Sequence, residues 1–370
     1  MVPSTSPRCH LERKSSQKPD AGCHPAATCA IAPSGKEESH YLLAPSHTPE
    51  LAAPYPRNRL TTDMARLYLS PPDVGPRERE LLLAAFDSNW VAPAGPDLAL
   101  FEEALAALTG RKHAVALSSG TAAIHLGLLI SGVQPTDDVL VSSFTFAGSI
   151  NPIAYTGARP VMIDSDETSW NMDPALVAEE LAHRAQHNLP MPKAVLAVDL
   201  YGQSAHYPAL NEVCDPYRVP VLEDAAEALG AWAFGQRCGS QGAWAALSFN
   251  GNKIITSGGG GALVTDDANI ADRARYLSTQ ARQPVVHYEH TEVGFNYRMS
   301  NLLAAVGRGQ LENLEGPQAK LARRSATNQR YRDAFASIDG LSFLRRPRCP
   351  GDTSLSKGRQ PGVPSRPVVC

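Results

Sequence analysis

Short apolar runs alternate with amphipathic stretches over residues 64–346, a pattern that predicts β-strands interleaved with helices. Strands are expected at 113–117, 138–142, 160–164, 193–198, 219–222, 243–249 and 261–265. Most are unbroken apolar runs rather than in–out alternations, as strands covered by helices on both faces require. Helices are expected at 78–89 and 98–108; in the second, Leu98, Phe101, Leu105 and Leu108 share one face and Gly110 supplies the stop. Further helices are expected at 268–279, 300–314 and about 319–338. The implied class is an α/β sheet protein of one or two domains, and no repeat of fixed period is visible.

The flanks break this pattern. Fourteen of the 30 prolines fall in residues 1–63 and 347–370, segments that lack apolar periodicity and are rich in Ser, Gly and basic residues. Such segments bury too little surface to offset chain entropy, so both are expected to be disordered. Cys9-His10, Cys23-His24 and Cys29 match no standard zinc spacing, and no metal is expected. Only Cys214 and Cys238 lie in the long middle of the chain, which argues against a disulfide framework and for the reducing cytoplasm. With 34 Lys+Arg against 37 Asp+Glu, the chain lacks the basic excess of a nucleic-acid binder. No uncharged apolar run approaches the ~20 residues of a membrane span. A soluble cytoplasmic protein without nucleic-acid or membrane partners is expected.

Three stretches could carry chemistry. Ser118-Ser119-Gly120-Thr121-Ala122-Ala123 joins a strand to a helix, where free N–H groups and the helix dipole suit a phosphate; the same residues also serve as an ordinary helix cap. It contains neither G-x-G-x-x-G nor a G-K-[ST] loop, so neither a dinucleotide site nor an ATPase is supported. Val221-Leu222-Glu223-Asp224 ends an apolar strand in two acids, of which one is expected to look into a site at the carboxyl end of the sheet. Either acid could equally cap a helix or hold a loop. Lys253 lies between an apolar strand and the run Gly258-Gly259-Gly260-Gly261, where bare backbone lets a bulky ligand approach. A desolvated lysine there could act as an amine nucleophile toward an aldehyde, or it could simply be solvated.

Together the three stretches offer an anion cradle, a carboxylate for a ring nitrogen and an amine for an aldehyde. Pyridoxal phosphate has the three matching handles. A carboxylate beside the ring nitrogen keeps it protonated and strengthens the ring as an electron sink, which suits transamination.

The order of these motifs carries a resemblance. Leu67-Tyr68-Leu69-Ser70-Pro71-Pro72, Phe86-Asp87-Ser88-Asn89-Trp90-Val91-Ala92-Pro93, Ser119-Gly120-Thr121-Ala122-Ala123, Glu223-Asp224-Ala225-Ala226, Ser248-Phe249 with Lys253, and Gly294-Phe295-Asn296-Tyr297-Arg298-Met299-Ser300 occur in sequence. This set resembles the pyridoxal-phosphate-dependent nucleotide-sugar aminotransferases of the DegT/StrS type. Its opening stretches are similar to members that act on bacillosamine-type or pilin-glycan sugars. The resemblance implies the type I aminotransferase fold, with a large domain over 64–300 around a mostly parallel sheet and a small domain starting at 301–346. It further implies that Lys253 is the Schiff-base lysine and later the proton shuttle, and that Asp224 pairs with the pyridine nitrogen. Gly120, Thr121, Ala122 and Ser248 would hold the phosphate, Phe146 would stack on the ring, and Asn296 would reach the phosphate of a neighbouring subunit in a homodimer. Substrates would be an amino-acid donor, glutamate, and a nucleotide-linked keto-deoxysugar.

Some positions lie open. Glu227 stands where many members have an amide; His125 reads as a packed core histidine; Asp199, Tyr201 and Gln203 follow a strand where they could line the sugar site. Members begin close to Met64, so 1–63 reads as an upstream or spurious extension. The resemblance fades after about Arg346, so an incomplete small domain followed by a disordered tail is expected. The rival reading is a relative that binds cofactor or nucleotide sugar without turnover. A sugar 3-dehydratase would have histidine in place of Lys253, and a nicotinamide oxidoreductase would need the missing glycine fingerprint.

Overall fold

The computed structural model describes residues 68–312, 316–341 and 343. The flanks 1–63 and 347–370, with their expected disorder and the cysteines at 9, 23, 29, 349 and 370, lie outside the described residues.

The chain enters through helices α1 (Pro76–Asp87) and α2 (Pro96–Thr109). A βα alternation follows: β1 (His113–Leu117), α3 (Gly120–Ile130), β2 (Asp138–Ser142), α4 (Ala147–Tyr155), β3 (Arg159–Ile163) and α5 (Pro174–Gln186). Next come β4 (Ala194–Val198), α6 (Tyr207–Cys214) and β5 (Val221–Asp224), then the short pair β6 (Trp232–Ala233) and β7 (Gln236–Arg237). Strands β8 (Ala245–Ser248) and β9 (Gly261–Thr265) complete the sheet before helices α7 (Ala268–Ser278), α8 (Asn301–Glu312) and α9 (Gly316–Phe335).

Seven strands form one sheet in the order β1-β9-β8-β5-β4-β2-β3. Pairing is parallel from β8 through β3, whereas β9 runs antiparallel to both neighbours. The expected α/β class with a mostly parallel sheet is therefore the one observed. Strand residues alternate between two covered faces. Val139 and Val141 of β2 pack in one cluster with Leu126, Leu128 and Leu222, while Leu140 packs on the other face with Val177, Tyr207 and Val221. Burial on both sides explains the continuous apolar runs.

Most expected elements lie within two or three residues of those observed. One strand end differs in a useful way: β5 does not stop at Leu222 but includes both acids, because Glu223 and Asp224 pair in register with Ala245 and Ala246 of β8. Helix α4, which contains Pro152, is not singled out in the sequence reading, nor are α5 and α6.

Helix α8 packs on α1 and α2 and locks the ends of several segments. Asn301, fully buried, accepts from Asp97 N–H (2.9 Å) and Leu98 N–H (3.3 Å) at the start of α2 and donates to Trp90 O (3.0 Å). Gly95 is required there: its φ is +153°, and a Cβ would collide with the Asn301 side chain. Gln310 of α8 accepts from Thr256 N–H at 3.1 Å, which fastens the loop after β8.

Candidate active site

The carboxyl ends of β1, β2, β4, β5 and β8 and the first residue of antiparallel β9 meet at one end of the sheet, where open α/β sheets bind ligands. After β1, Ser119 caps α3: its Oγ accepts from Ala122 N–H at 3.0 Å. The turn therefore serves the helix as a cap, and it also aims the positive end of the α3 dipole at the open side. A Cβ on Gly120 would lie 3.1 Å from Ser248 Cβ, and one on Gly148 would lie 3.2 Å from Thr121 Oγ1 and 3.1 Å from the Phe146 ring. Gly120, Thr121, Ser248 and Phe146 are thus neighbours. Phe146 immediately precedes α4 and is 78% exposed, a large apolar ring left facing the open side.

The glycine run sorts by position. Gly261 abuts the backbone of Ser119 and Gly120, and Gly260, at φ +118°, abuts Met299; a Cβ at either would collide. Around Gly258 and Gly259, a Cβ would meet nothing within 4 Å, so these two leave open space beside the turn of α3.

Asp224 is 4% exposed and lies on the face opposite Glu223. Its Oδ2 accepts from Ser149 Oγ of α4 at 2.6 Å and its Oδ1 from Ala226 N–H at 3.1 Å. Burial raises its pKa, opposed by these two donors and by the nearby charge of Lys253. A buried carboxyl in this state gains from a cationic N–H partner, and its two oxygens have acceptor capacity left.

Lys253 lies on the loop between β8 and β9. Phe249 anchors this loop, fully buried and edge-on to Phe101 at 5.1 Å, and Thr256 Oγ1 donates back to Phe249 O at 3.2 Å. The lysine side chain is 14% exposed, with Nζ donating to Glu227 Oε1 at 3.2 Å. Glu227 Oε2 in turn accepts from Tyr201 N–H at 2.8 Å.

The structure thus brings Gly120, Thr121, Ala122, Phe146, Asp224, Ser248 and Lys253 to one end of the sheet. Asn296 is itself exposed on a half-buried segment, bridging to Thr279, while the next residue, Tyr297, accepts at its carbonyl from Ser118 N–H at 2.7 Å. His125 is buried, with Nδ1 3.3 Å from Tyr297 Oη and its ring edge-on to Phe295, and burial lowers its pKa; this is core packing. Asp199 does not line the open side. It is fully buried on the Glu223 face and accepts from Ala205 N–H at 3.0 Å, because it stands two residues beyond Ala197, the register partner of Glu223. Burial and the Glu223 charge push its pKa well up.

Ser149 is absent from the sequence reading, and Glu227 enters it only as an open position. Ser149 stands three residues after Phe146, one helical turn away, which is the signal that would have found it. Glu227 stands three residues after Asp224, but its link to Lys253 comes only from the tertiary fold.

Among the described residues, no group of three or more His, Cys, Asp or Glu could hold a metal, and no helix is long and apolar enough to cross a membrane. Residues 72–354 match the profile of the DegT/DnrJ/EryC1/StrS aminotransferase family. EpsN of Bacillus subtilis is 48% identical over 279 residues, which are 75% of this chain and 71% of that protein. GDP-perosamine synthase of Caulobacter vibrioides is 39% identical over 254 residues, 69% of this chain and 67% of that one. Among solved structures, the PLP form of Spr1654 from Streptococcus pneumoniae superimposes with a TM-score of 0.67 at 26% identity, covering 74% of this chain and 72% of that chain. DesI, solved with its TDP-sugar product, gives 0.65 at 32% identity, covering 74% and 66%. The donor set fits pyridoxal phosphate: a helix N-terminus with open glycines beside it, an exposed aromatic ring, a buried carboxylate with spare acceptor capacity and an amine on its loop.

Proposed function

Because the chain belongs to the DegT/DnrJ/EryC1/StrS aminotransferase family, whose cofactor is pyridoxal phosphate, we propose that it moves an amino group from glutamate to the keto carbon of a nucleotide-linked deoxysugar in glycan biosynthesis. One observation carries the reading. Lys253, on the loop between β8 and β9, donates to Glu227, three residues beyond Asp224 at the end of β5, so the amine and the buried carboxyl meet at the same end of the sheet.

When bound, the cofactor supplies an electron sink for a carbanion. The rest falls to this chain. Lys253 would hold the aldehyde and, once released, move a proton between the two reacting carbons with its amine. Asp224 would hold a proton on the ring nitrogen, with Ser149 fixing the orientation of the carboxylate. The first turn of α3, through Gly120, Thr121 and Ala122, would bind phosphate together with Ser248. Phe146 would cover one face of the ring. Asn296, exposed and set beside the end of β1 by Tyr297, would complete the phosphate site of a second copy, so the working form is a homodimer. The large domain spans 64–300 in this reading, with the small domain beginning at 301. A cytoplasmic setting keeps the buried thiols of Cys214 and Cys238 reduced.

Mixing the cofactor-loaded protein with glutamate alone tests this. One equivalent of 2-oxoglutarate per loaded protomer is expected, and none from Lys253→Ala. A protein that holds the cofactor at Lys253 but releases no keto acid would be a binding relative without turnover, and the proposal would be wrong.

A further inference from the structure

Three aromatic side chains beside the Lys253 site face solvent in an arrangement that core packing does not explain. Phe144 is 44% exposed, Trp170 42% and Tyr201 70%. The Phe144 ring lies 6.1 Å from Trp170, tilted at 44°, and 6.1 Å from Tyr201, edge-on at 87°, so the three form an aromatic corner. Trp170 and Tyr201 both have left-handed backbones, at φ +61° and +54°, which side-chain-bearing residues rarely adopt without a surrounding structure that imposes them.

That surrounding structure is present. Asn171 Nδ2 donates to Gln203 O and Ser204 O, both at 2.9 Å, and its Oδ1 accepts from Leu200 N–H at 3.1 Å. Gln203 Nε2 donates to Ser169 O at 3.0 Å. The two loops that carry Trp170 and Tyr201 are therefore stitched together. Through the Tyr201 N–H bond to Glu227, and the Glu227 bond to Lys253, they are also in register with the catalytic amine.

We propose that Phe144, Trp170 and Tyr201 form a stacking platform for the flat base of the nucleotide-linked sugar, held in register with Lys253 through Glu227. The inference rests on the aminotransferase reading and deepens it. The choice of ring follows from what the platform offers. Asn171 and the Gln203 Nε2 are committed to backbone partners, so what the corner chiefly offers a ligand is three exposed aromatic faces, which suit a flat base. Phe146, two residues beyond Phe144, is the exposed ring for the cofactor; the platform gives a second flat group its own surface.

Calorimetric titration of the cofactor-loaded full chain with GDP, TDP, UDP and inorganic pyrophosphate reads this out without turnover. At least one nucleoside diphosphate should bind, and Trp170→Leu should weaken it about tenfold while pyrophosphate binding stays the same. Trp170→Phe, which keeps a flat ring, should retain affinity within about twofold. The platform is overturned if no nucleoside diphosphate binds, if Trp170→Leu binds it as wild type does, or if pyrophosphate weakens in parallel. Sedimentation of the same variants covers the remaining case: affinity lost only together with assembly would make the rings an interface between copies and overturn it too. Cofactor trapped at Lys253 in Trp170→Leu separates failure of the platform from failure of the aminotransferase reading.

Discussion

On one face of β5, Glu223 accepts backbone N–H groups from Gly239, Gln241 and Gly242; on the other face, its neighbour Asp224 accepts one hydroxyl and one N–H. Both carboxyls are buried, and burial raises the pKa of both. They differ in spent capacity. Glu223 closes the 239–242 loop onto the sheet, and a Cβ on Gly242 would lie 2.8 Å from the Glu223 backbone N, so the loop packs directly against it. Asp224, bonded to Ser149 and Ala226, lies within reach of the Lys253 charge at the carboxyl end of the sheet. Burial and a shifted pKa therefore do not separate the two acids; unspent acceptor capacity near the Lys253 amine does, and on the proposed reading it makes Asp224 the functional one.

The comparison can be broken most forcefully at Asp224. Asp224→Asn keeps the shape and the Ser149 contact but removes the charge, and the rate of the glutamate half-reaction should fall by about 10²-fold or more. A variant with an unchanged rate would remove Asp224 from the site. Next in size is Glu223→Ala, which leaves three backbone donors without their acceptor. Unfolding free energy in denaturant titrations should drop by about 3 kcal/mol, while the folded fraction still takes up cofactor at Lys253. If stability held and cofactor uptake vanished, the two acids would have exchanged roles.

The smallest effect concerns pH. Because the native pKa of Asp224 is raised, the cofactor-free fold holds more protons than the unfolded chain between the ordinary carboxylate range and that raised value. Stability is then lost as pH rises through this window. Asp224→Asn lacks that loss, so its melting temperature relative to wild type should climb with pH, by an amount on the order of a few degrees. A constant difference across the window would show that the carboxyl carries no burial penalty.

Much of this architecture was legible from the order of side chains alone. Continuous apolar runs such as 138–142 mark strands buried on both faces because no residue there has to face water. The end of β5 was misplaced at Leu222 because two acids resemble a strand terminus; only pairing with β8, distant in sequence, keeps them in the ladder. Asp199 invited a sugar-lining role because a strand-end position does not reveal its face, which the β4–β5 register fixes. Lys253, the acid pair at 223–224 and the turn at Gly120 are legible as local chemistry, whereas the choice of Asp224 over Glu223 comes only with the family resemblance. The roles of Glu227 and Ser149 depend on partners 26 and 75 residues away, and of the two only Ser149, one helical turn from Phe146, has a local signal.

The central claim is that the Lys253 amine captures the cofactor's aldehyde. Borohydride reduction of the full chain with saturating pyridoxal phosphate, followed by peptide mass mapping, tests it directly. A pyridoxyl adduct on Lys253, absent from Lys253→Ala, is the predicted result; an unmodified Lys253 under saturating cofactor would contradict the account.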